Sequence, residues 1–397
     1  MAVTLLVLAV LGLLAVGNGL RPVRWTPLLL PSFFAAWLTV ELAPQLLVLM
    51  VLVVGAFAAL DGVGWLGLAI AVLDLLGLGW MVVQSERAAA VADAALAEWP
   101  EAGDPERHQA SALRRFFVPM AFRHPDVERV VDVPYGDRHR HRLDVYHRKD
   151  RPTGSPTLVQ VHGGAWVIGD KREQGRPLML HLAARGWVCF APNYRLSPKA
   201  TWPDHLVDVK RAIAWVREHG AEYGADPGFL VLTGGSAGGQ LAALCALTQN
   251  DPEWQPGFED ADTSVQGCVP YYGVYDLTGE TGTRAAQVRS QRLLARLVMK
   301  TREPAVYAKA SPLAQVRDAP PFLVVHGRND TLVPVEEARL LVQRLRAVSS
   351  EPVLYLELPG TQHAFDVFPS IRSDHVVRAV GRFCELLRVR DARARGR

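Results

Sequence analysis

The pattern of apolar and polar positions divides the chain in two. Residues 1–84 hold apolar runs at about 3–20, 25–42, 45–60 and 63–83, interrupted by Arg21 and Arg24, by Glu41 and Pro44, and by Asp61. A spanning helix needs ~20 apolar residues to cross ~30 Å of hydrocarbon. Four runs near that length predict an all-α transmembrane domain of about four spans over 1–84. A helical cap of a water-soluble protein would carry a polar face, and these runs show none. A signal peptide explains one apolar run, not several in tandem. The second and third runs are short and share a brief turn, which leaves a re-entrant hairpin open.

From residue 126 the pattern changes. Short apolar stretches at 130–133, 143–146, 157–161, 188–192, 229–233, 268–272, 322–326 and 354–358 alternate with helical ones. The stretch 203–219 places Leu206, Val209, Ile213 and Val216 on one face and ends at Gly220. The stretch 373–387 opens on a serine cap and buries Val376, Val380, Phe383 and Leu387. Continuous apolar strands between helices predict an α/β domain over 126–390, its mostly parallel eight-stranded sheet covered by helices on both faces. Residues 85–125 read as a helical connector or partial cap, and 391–397 as a frayed basic tail.

Composition agrees with the division. The chain has 397 residues, more than one ordinary domain, and 49% are hydrophobic, with the surplus in 1–84. The net charge of +3 is too slight to imply a nucleic-acid partner. Four cysteines fall in apolar patterns and read as buried thiols rather than a disulfide framework. The cluster 137–142, rich in His and Arg, sits between two strand patterns and reads as a solvated hairpin rather than a metal site. Arg21 and Arg24 form the one basic loop among the apolar runs. If that loop is cytoplasmic, four crossings put residues 126–390 on the extracytoplasmic side of the cell membrane, and an odd number reverses this.

The candidate chemistry lies at the ends of the strand patterns. Gly234-Gly235-Ser236-Ala237-Gly238 follows the 229–233 run and precedes a helical pattern. A serine placed on so sharp a turn needs small residues two positions before and after it. His162-Gly163-Gly164-Ala165-Trp166 follows the 157–161 run. Such a loop can bring backbone N–H donors against a developing oxyanion, and Gly163, Gly164 and Ala237 are the expected donors. Asp330 follows the 322–326 run and His363 the 354–358 run, giving the order Ser, Asp, His. A serine hydroxyl needs an imidazole to take its proton, and the imidazole needs a carboxylate to fix its tautomer. Ser236 is therefore the expected nucleophile, His363 the base and then acid, and Asp330 the orienting group. Asp276 and Asp366 are rival acids, His162 is expected to shape its loop, and His326 to pack at a strand end. Trp166 either lines an acyl or alcohol pocket or packs under the loop. This chemistry calls for no cofactor or metal.

These motifs, with Ala191-Pro-Asn-Tyr-Arg-Leu-Ser-Pro198, the 326–334 stretch and Gln362-His363-Ala364-Phe365, resemble the α/β-hydrolase superfamily over roughly 125–390. Within it the chain is similar to the hormone-sensitive-lipase-like bacterial carboxylesterases and lipases. The resemblance implies the α/β-hydrolase fold and hydrolysis of short- to medium-chain acyl esters through an acyl-enzyme. The implied partners are a small or lipid-like ester and the bilayer. It also implies that the insertion 278–312 forms a lid, bringing Leu293, Leu294, Leu297 and Val298 toward the pocket. A helix packed on the sheet edge is the plain alternative. Two positions depart from the family pattern: Ala165 replaces a third glycine and Asn193 an aspartate. The Ala165 variant also occurs in related formamidases, so an amidase, formamidase or acyl-peptide hydrolase with the same triad stays open. A membrane-tethered binding or sensing protein on this scaffold is the alternative of another class. Such proteins typically lose a triad member.

Overall fold

The computed structural model describes residues 2–60, 62–99, 123–283 and 290–396. Four apolar helices lead the chain: α1 (Ala2–Leu20), α2 (Leu29–Glu41), α3 (Ala43–Ala59) and α4 (Trp65–Ala97). By length and composition α1 and α4 can each cross a membrane, and α2 with α3 forms a pair bent by 82°. Leu5 and Leu6 of α1 lie against Gly67 of α4, Gly12 against Asp74, Val16 against Gly77 and Gly19 against Met81. Sequence numbers rise together along the contact, so α1 and α4 run parallel. The chain must return between them, and it does so through the bent pair. Gly64, just before α4, accordingly packs beside Ala2 at the start of α1. By length and composition two of these helices could cross a membrane, or three stretches if the bent pair counts as one, beside the about four spans that the apolar runs suggest. Hydropathy counts runs; it does not record direction.

Two further expectations change here. The connector over 85–125 is not a separate element at its start, because α4 continues unbroken to Ala97. Its last turns bury Ala88, Ala92, Ala95 and Leu96 against the α/β domain. Residues 100–122 of that connector lie outside the described residues. Asp74 stands in the middle of α4 at 0% exposure, and neither of its carboxylate oxygens is hydrogen-bonded among the described residues. It borders an apolar cavity of about 210 Å³ between α1, α3 and α4.

The rest of the chain forms one eight-stranded sheet: β1 (Val127–Pro134), β2 (Arg142–Arg148), β3 (Ser155–Val161), β4 (Val188–Pro192), β5 (Ala225–Gly235), β6 (Gly267–Tyr271), β7 (Phe322–Gly327) and β8 (Val353–Leu358). The order is β1-β2-β4-β3-β5-β6-β7-β8. β2 pairs antiparallel with both β1 and β4, and the remaining pairs are parallel. All eight strands expected from the apolar runs are present. β4, β6 and β7 are buried along their whole length, which is why they read as continuous rather than alternating apolar runs.

Successive strand residues feed opposite faces. Val159 and Val161 enter the core under α6 (Asp204–His219), α7 (Ala237–Leu247) and α9 (Val335–Val348). Leu158 enters the one under α5 (Arg176–Ala183), α10 (Ile371–Ala394) and the end of α4. The short α8 (Pro304–Ala310) precedes β7. The expected frayed tail is ordered instead. α10 runs to Ala394, and Arg395 pairs with Asp391 at 2.8 Å and with Asp226 at 3.3 Å. In an open parallel sheet the loops leaving the carboxyl ends of the strands gather at one rim. Here those are the loops after β3, β5, β7 and β8.

Candidate active site

The turn from β5 into α7 carries Ser236 at φ 57° and ψ −119°, a region that L residues occupy only under strain. Its amide donates to Tyr271 O at 3.0 Å. The flanking glycines are required by close approach. A Cβ on Gly234 would lie 2.5 Å from Gly238 O, and one on Gly238 would lie 2.2 Å from Val161 O. Ser236 is half-buried, while its neighbours from Gly234 to Gly239 are buried. The N-terminus of α7 begins at Ala237 and faces the same space, favouring negative charge there.

Across the rim, His363 Nδ1 donates to Asp330 Oδ2 at 2.7 Å. The other carboxylate oxygen, Oδ1, accepts from the amides of Leu332 (2.9 Å) and Val333 (2.8 Å). Gln362 joins the two loops, since its Oε1 accepts from the amides of Thr331 (2.8 Å) and His363 (2.9 Å). His326 stands behind the carboxylate, with Nε2 at 3.3 Å from Asp330 Oδ2 and 3.0 Å from Val333 O. It does more than pack: its Nε2–H, given to Val333 O, also lies within ion-pair reach of the acid. Burial alone would raise the Asp330 pKa, but the two imidazoles and their hydrogen bonds hold it well below the usual carboxylate range. The structure thus brings Asp330 and His363 together. Among the described residues no hydrogen bond links Ser236 Oγ to His363, a contact that often forms only in the substrate complex. The Tyr272 ring spans the gap. It lies 4.4 Å from the imidazole, and its hydroxyl sits 2.8 Å from where a Gly235 side chain would begin.

The rival acids are occupied elsewhere. Asp276 accepts from the amides of Gly279, Glu280 and Thr281 and so closes its own loop. Asp366 accepts from the Tyr272 hydroxyl, and burial raises its pKa to about 6. Its folded pKa lies above the unfolded value, so its contribution to stability is present below about pH 4 and lost as pH rises through 6. Asp366→Asn is therefore expected to raise Tm relative to the parent at pH 8, by the equivalent of about 3 kcal/mol at most, and less at pH 4. Thermal melts at both pH values check this, and equal differences would refute it.

The loop after β3 adds three details to the expected donor set. Gly163 N–H donates to Gln174 Oε1 at 2.7 Å, which removes Gly163 from the set of free donors. The amides of Gly164, Ala165 and Ala237 make no hydrogen bond among the described residues. Gly164, Ala165 and Trp166 all have positive φ (114°, 52° and 61°), which turns the loop back over the elbow. Ala165 thus offers an unengaged amide beside those of Gly164 and Ala237. The signal available was the motif itself, in which Ala165 stands where a third glycine is usual. Trp166 is only 2% exposed and donates to Gln240 Oε1 at 2.9 Å, so it packs beneath the loop rather than lining a pocket.

His162 shapes the loop as expected. Nδ1–H donates to Gly163 O at 2.7 Å, the ring stacks on Tyr194 at 4.4 Å, and burial lowers its pKa to about 4. The 137–142 cluster is solvated only at its tip. Arg140 reaches in to Tyr194 O (2.7 Å) and Gly169 O (2.8 Å), and His141 is buried 3.0 Å from Asp208. In the insertion, Leu294 and Val298 are buried in the main core and Leu297 packs against it, which fits the plain alternative to a lid. The side chain of Leu293 lies outside the described residues.

Sheet order, strained elbow and rim loops together define an α/β-hydrolase. The BD-FAE family model matches residues 143–345, and the chain belongs to that family. It is 47% identical to a protein of Mycobacterium tuberculosis named probable carboxylic ester hydrolase LipM, over 81% of this chain and 77% of that one. Esterase LipC of the same organism is 44% identical over 72% of this chain and 70% of its own. Among solved structures, an inhibited esterase B from Lactobacillus rhamnosis superposes with a TM-score of 0.60. It is 21% identical and covers 78% of this chain and all of its own, a likeness that concerns the fold.

Proposed function

We propose that this chain is a membrane-held serine hydrolase of short- to medium-chain carboxylic esters. The ester-hydrolase activity itself follows from the relatives at 44–48% identity, which bear carboxylic ester hydrolase or esterase names. The serine mechanism rests chiefly on one observation: the 2.7 Å bond from His363 Nδ1 to a buried Asp330 on the rim that also carries the strained Ser236 elbow. With Nδ1 bonded to the carboxylate, Nε2 is the nitrogen left to take a proton. Ser236 Oγ attacks the acyl carbonyl while its proton passes to His363 Nε2. The tetrahedral oxyanion is met by the N–H groups of Gly164, Ala165 and Ala237. His363 then protonates the leaving alcohol, and water repeats the cycle on the acyl-enzyme.

The test is a chain-length series of 4-nitrophenyl esters beside matching anilides. Turnover of the C2 to C8 esters with little on the anilides is the expected result, and a reversed preference would favour the amidase reading.

Membrane anchoring belongs to the same proposal: α1, α3 and α4 cross, and the α/β domain from about 126 to 394 stands outside the bilayer. Three traverses put the N-terminus and that domain on opposite sides. Arg21 and Arg24 follow α1, whose last carbonyl, Leu20 O, accepts from Asn329 Nδ2 at 3.2 Å beside the site. Both arginines therefore share the hydrolase side, as does Arg87 on α4. The excess of basic residues on cytoplasmic faces then favours a cytoplasmic hydrolase domain. This reverses the extracytoplasmic placement that an even number of crossings implied. A C-terminal epitope should be protected from protease in intact cells, and its digestion there would reject this orientation.

A further inference from the structure

We infer that α2 is a wall of the active site supplied by the membrane part, and that the natural ester is drawn from the bilayer with its acyl chain lying along Phe33. This rests on the serine-hydrolase reading and adds to it a substrate source and a specificity-determining residue.

α2 is short for a span. Its 13 residues reach about 20 Å, and it meets α3 at 82°. Its inner face grips the segment that carries His363. Phe33, 6% exposed, meets the imidazole edge-on at 6.3 Å and 71°. Trp37 stacks on Phe33 at 5.8 Å and meets Phe368 at a tilt of 35° and 4.8 Å, and its indole N–H donates to Ala364 O at 3.0 Å. One turn further, Glu41 accepts from Arg372 (2.5 Å) and from Ser370 Oγ (2.6 Å), with all three side chains buried. The start of the helix is held as well: Ser32 Oγ donates to Asn18 Oδ1, and Asn18 Nδ2 to Ser32 O, both at 2.7 Å. Neighbouring elements hold the same rim. Leu20 O binds Asn329, next to Asp330, and Gln84 of α4 packs on Gly360, three residues before His363.

The outer face of α2 is the reverse of a solvated surface. Leu30, Phe34 and Leu38 are 58%, 51% and 41% exposed, and Trp25 just before the helix is 61% exposed. Apolar side chains flanked by two membrane-crossing helices, with a tryptophan at the boundary, fit lipid rather than water. One helix therefore touches hydrocarbon with Phe34 and the imidazole with Phe33. An acyl chain leaving the bilayer along this helix stays in apolar contact until its carbonyl reaches Ser236. A short water-soluble ester gains nothing from that path.

The experiment uses the full chain in phosphatidylcholine vesicles with 4-nitrophenyl acetate and 4-nitrophenyl decanoate. Phe33→Ala should lower the decanoate-to-acetate ratio of kcat/KM at least tenfold, mainly through KM for decanoate. Phe33→Leu should stay within about threefold of the parent, and Phe33→Trp should shift preference toward acetate. Unchanged ratios in all three variants overturn the inference. If Phe33→Ala shows no melting transition, the Leu and Trp variants decide by the same ratio. Ser236→Ala run alongside keeps the two readings apart: if it stays active on both esters the serine mechanism fails, and if it is silent the ratios judge α2 alone.

Discussion

Ser236→Ala is expected to reduce ester turnover by about 10³- to 10⁶-fold while moving the melting temperature by only a few degrees. The substitution removes one oxygen from a half-buried position and leaves every backbone contact of the elbow in place, including the amide bond to Tyr271 O. It keeps the oxyanion donors and the binding surface, so a residual rate above that in water should persist. Steady-state hydrolysis of 4-nitrophenyl butyrate, with circular dichroism on the same sample, measures both effects. A fluorophosphonate probe should label the parent at residue 236 and leave the variant unlabelled. Turnover within tenfold of the parent would mean that another nucleophile operates, and the assignment of the whole rim would fall with it.

Asp330→Asn carries the second large effect, a loss of about 10⁴-fold in kcat. The reason is tautomeric. In the parent, the carboxylate accepts from His363 Nδ1–H and leaves Nε2 free to act as base. An asparagine amide can present an N–H to Nδ1 instead, which puts the proton on Nε2, where it blocks attack. The change also removes a charge that two imidazoles surround, at 2.7 Å and 3.3 Å. Losing hydrogen bonds to a buried charged group costs about 1.5–3 kcal/mol. That cost should depend on pH in a definite direction. The folded pKa of Asp330 is depressed, so its contribution is present above the unfolded value near 3.9 and is lost as pH falls below it. The stability gap between parent and variant should therefore be full at pH 7 and shrink steadily below pH 4. Denaturant melts at pH 7 and pH 3 measure it, and a gap that widens with acid would contradict the pairing.

Much of this molecule is legible in its sequence, and the part that is not has an identifiable cause. The central parallel strands show as apolar runs because they are covered on both faces, and Ser236, Asp330 and His363 stand out because each follows such a run. The contacts that escape are those between residues far apart in the chain. Trp37 to Ala364 spans 327 positions and Glu41 to Arg372 spans 331, and no local pattern encodes either. Gln174 on Gly163 N–H is a side chain from a loop with no motif. Trp166 is ambiguous in sequence because a large aromatic beside a glycine loop suits a pocket wall and a core equally well. The return of the chain between α1 and α4 shows in hydropathy only as two short runs that share a brief turn, which does not fix its direction. Asp74 escapes for a simpler reason: one carboxylate barely alters the mean of an otherwise apolar run.

The unbroken α4 makes the molecule a keyed shaft rather than a tethered ball. Each residue of an α-helix adds 1.5 Å of rise and about 100° of rotation. One amino acid inserted near Gln84 would swing the hydrolase by more than a quarter turn and shear its catalytic loops away from Phe33 and Glu41. Length at that joint is thus fixed to the single residue, while loops on the far side of the sheet remain free to grow.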